Sequence, residues 1–181
     1  MLRAIARHRL RKMSAHYNYD VSYMEWLLDV SPSAFFKFAK LIDPARHREA
    51  APVNAYFAAK LVGALVEDCG PCAQLVVNMA TEAGMPGDQI AAVLRRDTEA
   101  MHEDTVLGFR FADAITARGA NEDDVRDAVR GAWGDKAIID LTLGLQIGRM
   151  FPMIKAGLGF GKECRRVEVG GAPVDVVKRA A

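Results

Sequence analysis

The chain lacks most of the features that would commit it early to a functional class. No apolar run reaches the roughly 18–20 residues that a membrane-spanning helix needs. Its net charge of +1 provides no global field to attract nucleic acid. Three cysteines are too few for a disulfide scaffold. The amino-terminal stretch is basic but lacks the apolar core, about 7–15 residues long, of a secretory leader, so none is expected. Low-complexity linkers and internal repeats are also missing, and alternating strand patterns are scarce. These absences favour one compact domain in a reducing cytoplasm, where a Cys-x-x-Cys pair is more often catalytic or metal-binding than structural.

What remains is an apolar, helix-patterned chain of 181 residues, 51% hydrophobic, long enough to bury a sizeable core. Charge is unevenly distributed. Arg3, Arg7, Arg9, Arg11 and Lys12 give residues 1–13 a local +5 with no acid, which leaves about −4 on the rest. Helical periodicity is expected over 2–13 and 21–30. Ser31 can cap the next helix, with Pro32 in its first turn and Phe35, Phe36 and Phe38 beyond. Residues 43–52 read as a polar connector. VNAYFAAKLVGALVE (53–67) is apolar around most of its circumference and should be buried.

Helical patterns continue to a stop at Gly84, over 85–96 and over 97–119. Asn121 can then cap an acid-led helix. Residues 135–159 form a long apolar helix that Pro152 is expected to kink or divide. Only the tail, 165–177, reads as strand, with Gly170-Gly171 as a hairpin turn. The fold class is therefore all-α. Its expected organisation is an N-terminal helical arm (1–45), a helical core (46–164) and a short irregular or hairpin tail (165–181).

The chemistry centres on EDCGPC, residues 67–72. Thioredoxin carries the same CGPC after a β-strand with a preceding Trp, whereas here Asp68 precedes Cys69 and the upstream pattern is helical. Pro71 is tolerated only in a first helical turn, so one helix should stop near 67–70 and another begin, with Asp68 as its expected cap. Residues i and i+3 then share a helix face with Cα atoms about 5–6 Å apart, inside the roughly 4.4–6.8 Å window for a disulfide. A helix N-terminus lowers a thiol pKa, while nearby Glu67 and Asp68 would raise it. Three readings remain open on these residues: a redox pair, half of a metal site, or two buried thiols. Zinc needs about four ligands, and neither Cys164 nor the scattered histidines (8, 16, 47, 102) form a second paired motif.

VNAYFAAKLVGALVEDCGPCAQLVVNMATEAGMPGDQIAAVL, supported by WGDKAIIDLTLGLQIGRMFPMIKAGLG, resembles the carboxymuconolactone decarboxylase family over residues 50–160. The likeness is to its alkylhydroperoxidase D-like (AhpD-like) branch. That resemblance implies an all-α fold assembled as trimers or hexamers, with no cofactor. It also implies a cysteine pair, here Cys69 and Cys72, that cycles between dithiol and disulfide. Its oxidant would be a small hydroperoxide and its reductant a thiol partner.

The family's proton relay does not carry over. The glutamate position twelve residues before Cys69 holds Phe57, and the two histidine positions hold Pro71 and Val76. General acid–base help is worth roughly 10²–10⁴-fold, and none of these three residues supplies it. Glu67 is the nearest replacement, and His102 is a second candidate if its helix packs beside the motif. Helix-start physics favours Cys69 as the more acidic thiol, whereas the family places peroxide attack at the second cysteine, Cys72. Two other readings stand beside a thiol–disulfide oxidoreductase. One is a non-catalytic oligomeric binding or scaffold protein that keeps the fold; the other is a lactone- or ring-handling enzyme, which the cysteine pair argues against.

The basic arm (1–13) either docks on its own domain or a neighbouring subunit, frays in solvent, or touches an anionic membrane surface. Gln74 and Asn78, at i and i+4, could hydrogen-bond across helices or line a pocket. Cys164 is expected to be an unpaired thiol.

Overall fold

The computed structural model describes residues 1–161 and 166–177, so the expectation for Cys164 lies outside the described residues. Among these residues eight α-helices and a single β-hairpin are present, and the fold is all-α with a short hairpin tail. The helices are α1 (Leu2–Tyr17), α2 (Ser22–Val30), α3 (Pro32–Phe38), α4 (Val53–Val66), α5 (Gly70–Glu82), α6 (Gly87–Arg95), α7 (Glu103–Ala117) and α8 (Glu122–Gly157). Two short 3₁₀ turns, Ala39–Ile42 and Pro44–Arg46, occupy the connector between α3 and α4.

Helix α4 is the axis of the molecule. Every residue from Ala55 to Ala64 is buried, as its nearly all-apolar sequence requires. α8 and α7 pack most extensively on it, and α5 covers a further side. Glycines allow the close approach. A Cβ added at Gly148 would lie 2.3 Å from the Lys60 carbonyl, and one at Gly108 would lie 2.3 Å from that of Ala55. Backbone-to-backbone contact of this kind brings many dispersion partners together without leaving voids.

A second hydrophobic cluster joins the first three helices. Leu10, Tyr19, Tyr23, Leu28 and Phe35 form its centre, and Leu75, Leu158 and Phe160 pack against it from outside the arm. α1 docks through Ala6 and Leu10 and is tied to α2 by Arg7–Asp29 and Arg11–Glu25 ion pairs. Ser31 caps α3 as expected: its hydroxyl accepts from the Ala34 N–H at 3.3 Å. Phe35 turns inward, Phe38 is half-buried against Tyr23 and Phe151, and Phe36 is exposed.

Three local expectations need correction. Cys69, not Asp68, is the N-cap of α5, because Asp68 lies in the left-handed region (φ 52°) and completes the turn out of α4. Pro152 does not divide α8. The non-helical backbone inside α8 falls instead at Gly134 (φ 78°, ψ 176°), a conformation open to glycine without steric penalty and one residue before the expected start of the 135–159 helix. The stretch 97–119 becomes helical only at Glu103, after turns through 97–102.

One window of α8 is long and apolar enough to cross a membrane by length and composition, although the sequence has no uninterrupted apolar run. That helix is the main packing partner of α4, with Ala137, Leu141 and Leu145 in the shared core. In the tail, β1 (Val167–Val169) pairs antiparallel with β2 (Ala172–Val174) around Gly170 and Gly171. Both glycines have positive φ, 59° and 82°, the requirement of a two-residue primed turn.

Candidate functional site around Cys69 and Cys72

The three-residue turn 67–69 joins the end of α4 to the start of α5. Its geometry follows from the sequence. Glu67 ends α4, Asp68 reverses the chain and donates its N–H to the Leu65 carbonyl (3.1 Å), and Cys69 is extended. Gly70 and Pro71 form the first turn of α5, where proline's missing N–H leaves no orphan. Cys69 and Cys72 then lie with Cα atoms 5.2 Å apart and their sulfurs within disulfide-bonding distance.

The two thiols are not equivalent. Cys69 is partly exposed, whereas Cys72 is only 4% exposed. The Tyr19 hydroxyl lies 3.8 Å from the Cys72 sulfur, within hydrogen-bonding reach of a large, polarizable acceptor. Tyr19 sits between α1 and α2, so the arm supplies a polar group to the back of the cysteine motif. Behind it, the Lys155 ammonium from α8 stands 5.6 Å from the centre of the Tyr19 ring. Tyr19 and Lys155 are 3% and 1% exposed. Tyr23, also fully buried, completes the cluster. Burial first, and then the neighbouring Tyr19, push its phenol well above its ordinary pKa.

Glu67, the nearest candidate for proton transfer, is engaged elsewhere. Arg149 Nε donates to Glu67 Oε1 at 2.8 Å, which clamps the turn to α8. The positions that correspond to the AhpD-like relay are apolar and buried: Phe57, Pro71 and Val76. His102 is not beside the motif. Its helix meets the opposite end of α4, where Asn54 donates to Asp104 and Gly108 abuts Ala55. From Asn54 to Glu67 the helix rise alone is about 20 Å. The His102 backbone N–H donates to Gln89, and the residue lines an open depression of about 700 Å³ with Glu103, Asp104, Leu107 and Trp133.

Comparison with protein-family models, curated proteins and solved structures finds no match to this chain. What the site can do therefore rests on its own chemistry. Among the described residues, no three histidine, cysteine or acidic side chains converge as metal ligands.

Gln74 and Asn78 hydrogen-bond across elements. Gln74 donates to the Glu168 carbonyl at 3.0 Å and accepts from the Glu168 N–H at 2.6 Å, so its side chain extends the β1 backbone ladder. Its amide also reaches Asn78, which donates to the Tyr17 carbonyl at the end of α1. One face of α5 thereby fastens both the tail and the arm around the cysteines.

Sequence reasoning missed Tyr19, Arg149 and Lys155. Arg149 and Lys155 did carry a signal, since each is an isolated cation in an otherwise apolar helix and must find a partner when buried. Tyr19 carried none; only the fold brings it to Cys72.

Proposed function

We propose that the protein is a thiol–disulfide oxidoreductase whose redox centre is Cys69–Cys72. One observation carries the reading: the α4–α5 turn sets the two sulfurs at bonding distance, one partly open to solvent and the other buried. Two thiols that were only core filler would not need one member at a solvent-facing helix start. Cys69, at the N-terminus of α5, has the setting that favours a thiolate.

The oxidant proposed is a small hydroperoxide, in keeping with the AhpD-like resemblance. A cysteine thiolate attacks the peroxide, forming an S–O bond and breaking the O–O bond, and the departing alkoxide takes a proton to become an alcohol. The second cysteine then attacks the sulfenic sulfur, the disulfide forms and water leaves. In net terms, two thiols and one hydroperoxide give one disulfide, one alcohol and one water. A dithiol reductant returns the pair to its reduced state. With Glu67 held by Arg149 and apolar groups at the three relay positions, turnover with peroxide is expected to be slow. A cytoplasmic setting and a homo-oligomeric assembly belong to the same proposal.

The test is to treat reduced protein with a slight excess of hydroperoxide and count alkylatable thiols by mass spectrometry. The expected result is loss of two thiols in the wild-type chain, mapped to Cys69 and Cys72. Neither Cys69→Ser nor Cys72→Ser should form that intramolecular bond. If both thiols stay alkylatable, the redox reading is lost and a non-catalytic binding or scaffold role takes its place.

A further inference from the structure

Resting on the redox reading of the pair, we propose that reductant enters at Cys69 and that Cys72 leaves as a thiolate held by the Tyr19 hydroxyl. This assigns the two cysteines distinct roles and makes Tyr19 a catalytic residue supplied by the N-terminal arm.

The argument begins with access. An attacking thiolate must approach a sulfur along the S–S axis, and Cys69 is the partly exposed member while Cys72 is 4% exposed. When a dithiol reductant attacks the Cys69 sulfur, a new S–S bond forms to the reductant and the Cys69–Cys72 bond breaks. The electron pair goes to Cys72. The reductant's second thiol then attacks its own mixed disulfide and releases Cys69. Two electrons and two protons have passed from the dithiol to the pair, and the reductant has become a disulfide.

The rate of such an exchange rises as the leaving thiol becomes more acidic. Burial works against this at Cys72, because a thiolate in an apolar site is penalised. The Tyr19 hydroxyl, 3.8 Å from the sulfur, is placed to donate to that charge. Lys155, with its ammonium 5.6 Å from the Tyr19 ring centre, packs on the same phenol. On the oxidising half of the cycle the same donation favours the Cys72 thiolate that closes the disulfide. The charged and titratable groups around the motif are divided between two sides. Glu67 and Asp68 lie at the turn, with Arg149 of α8 on Glu67, whereas the Tyr19 phenol meets Cys72 and shares its buried cluster with Tyr23 and its ring face with Lys155.

The experiment uses the full chain carrying Cys69→Ser, which leaves Cys72, or Cys72→Ser, which leaves Cys69, each with and without Tyr19→Phe. Thiol pKa values come from the pH dependence of alkylation by a small haloacetamide, read by mass spectrometry. With Tyr19 present, Cys72 should titrate below the roughly 8.5 of a free cysteine. Tyr19→Phe should raise that value by about 1, an approximately tenfold loss of thiolate at neutral pH, as expected for one hydrogen bond to a charge. Cys69 should not respond to Tyr19→Phe, whereas a merely structural disturbance would move both thiols. Reduction of the wild-type disulfide by dithiothreitol should slow several-fold in Tyr19→Phe, and a monothiol should be trapped on Cys69.

A Cys72 value at or above that of free cysteine in the Tyr19-containing chain overturns the assignment, even if Tyr19→Phe does not fold. So does a mixed disulfide mapped to Cys72, or a Cys72 value indifferent to Tyr19→Phe. If the wild-type pair does not form and lose its disulfide reversibly, the redox reading itself fails. If the pair cycles normally but Cys72 ignores Tyr19, only this inference fails.

Discussion

Removal of the Asp140 carboxylate should loosen the connector that leads into α4. Asp140 lies on α8 with no exposed surface, and its Oδ2 accepts the backbone N–H groups of Glu49, Ala50 and Ala51 at 2.9, 2.7 and 2.9 Å. In Asp140→Ala all three donors lose their partner. Glu49 and Ala50 are exposed and can turn to water, but Ala51 is 1% exposed. The variant therefore loses charge-assisted bonds and leaves one buried N–H unsatisfied, together about 3 kcal/mol. Asp140→Asn keeps an accepting oxygen without the charge, and about half that loss is expected.

The pH dependence has a definite sign. Burial pushes the Asp140 carboxyl up, but the N–H groups of Ala50, Ala51 and Glu49, helped by His47, outweigh it and hold the pKa below its ordinary value. The folded state therefore binds fewer protons than the unfolded state in that interval. The stabilisation is complete above the unfolded value of about 3.9 and disappears as pH falls through the folded value. Urea denaturation of wild type, Asp140→Ala and Asp140→Asn at neutral and acidic pH reads this directly. The reasoning is refuted if Asp140→Asn matches wild type at pH 7, or if the gap between them widens toward acid.

Further perturbations test other parts of the structure. Gly108→Ala drives a Cβ to 2.3 Å from the Ala55 carbonyl and should cost about 3 kcal/mol in denaturant melts, whereas Gly131→Ala meets open space and should gain about 0.5–1 kcal/mol. Lys60 is buried on α4, donates to the Ala45 carbonyl at 2.8 Å, and has its pKa lowered to about 8 by burial and then by Arg46. Its folded value lies below its unfolded one, so it destabilises the fold at neutral pH, an effect relieved as pH rises from about 8 to about 10.4. Lys60→Met should accordingly be the more stable protein at pH 7, with an advantage that shrinks in alkaline thermal melts. Arg149→Ala should free Glu67 beside the cysteine turn and cost about 1 kcal/mol, given that both partners are partly solvated. Chemical denaturation measures that loss, and a neutral result would mean that the ion pair does not clamp the turn.

Much of the fold was legible because local rules governed it. Ser31-Pro32, Gly84 and Gly170-Gly171 each have one backbone use, and each appears in that use. The all-round apolar character of 53–66 announced a central helix. Local rules misled where two of them competed. Asp68 is a good capping residue, but the reversal from α4 to α5 needed a left-handed residue one step before the helix, and that moved the cap to Cys69. Pro152 reads as a second breaker in α8 yet stays in helical backbone, while the expected boundary before Asp135 appears at Gly134, where no Cβ resists the required dihedrals.

At the site, the sequence alone determined the thiol pair: a Cys-x-x-Cys with proline in a first helical turn fixes the Cα separation through local backbone geometry. Tertiary structure alone decided the asymmetry of that pair. Tyr19 stands 53 positions from Cys72, Arg149 stands 82 from Glu67 and Lys155 stands 136 from Tyr19, and no periodicity links them. Packing of the arm and of α8 around α5 decides which sulfur meets solvent, which meets a phenol, and which carboxylate is already taken.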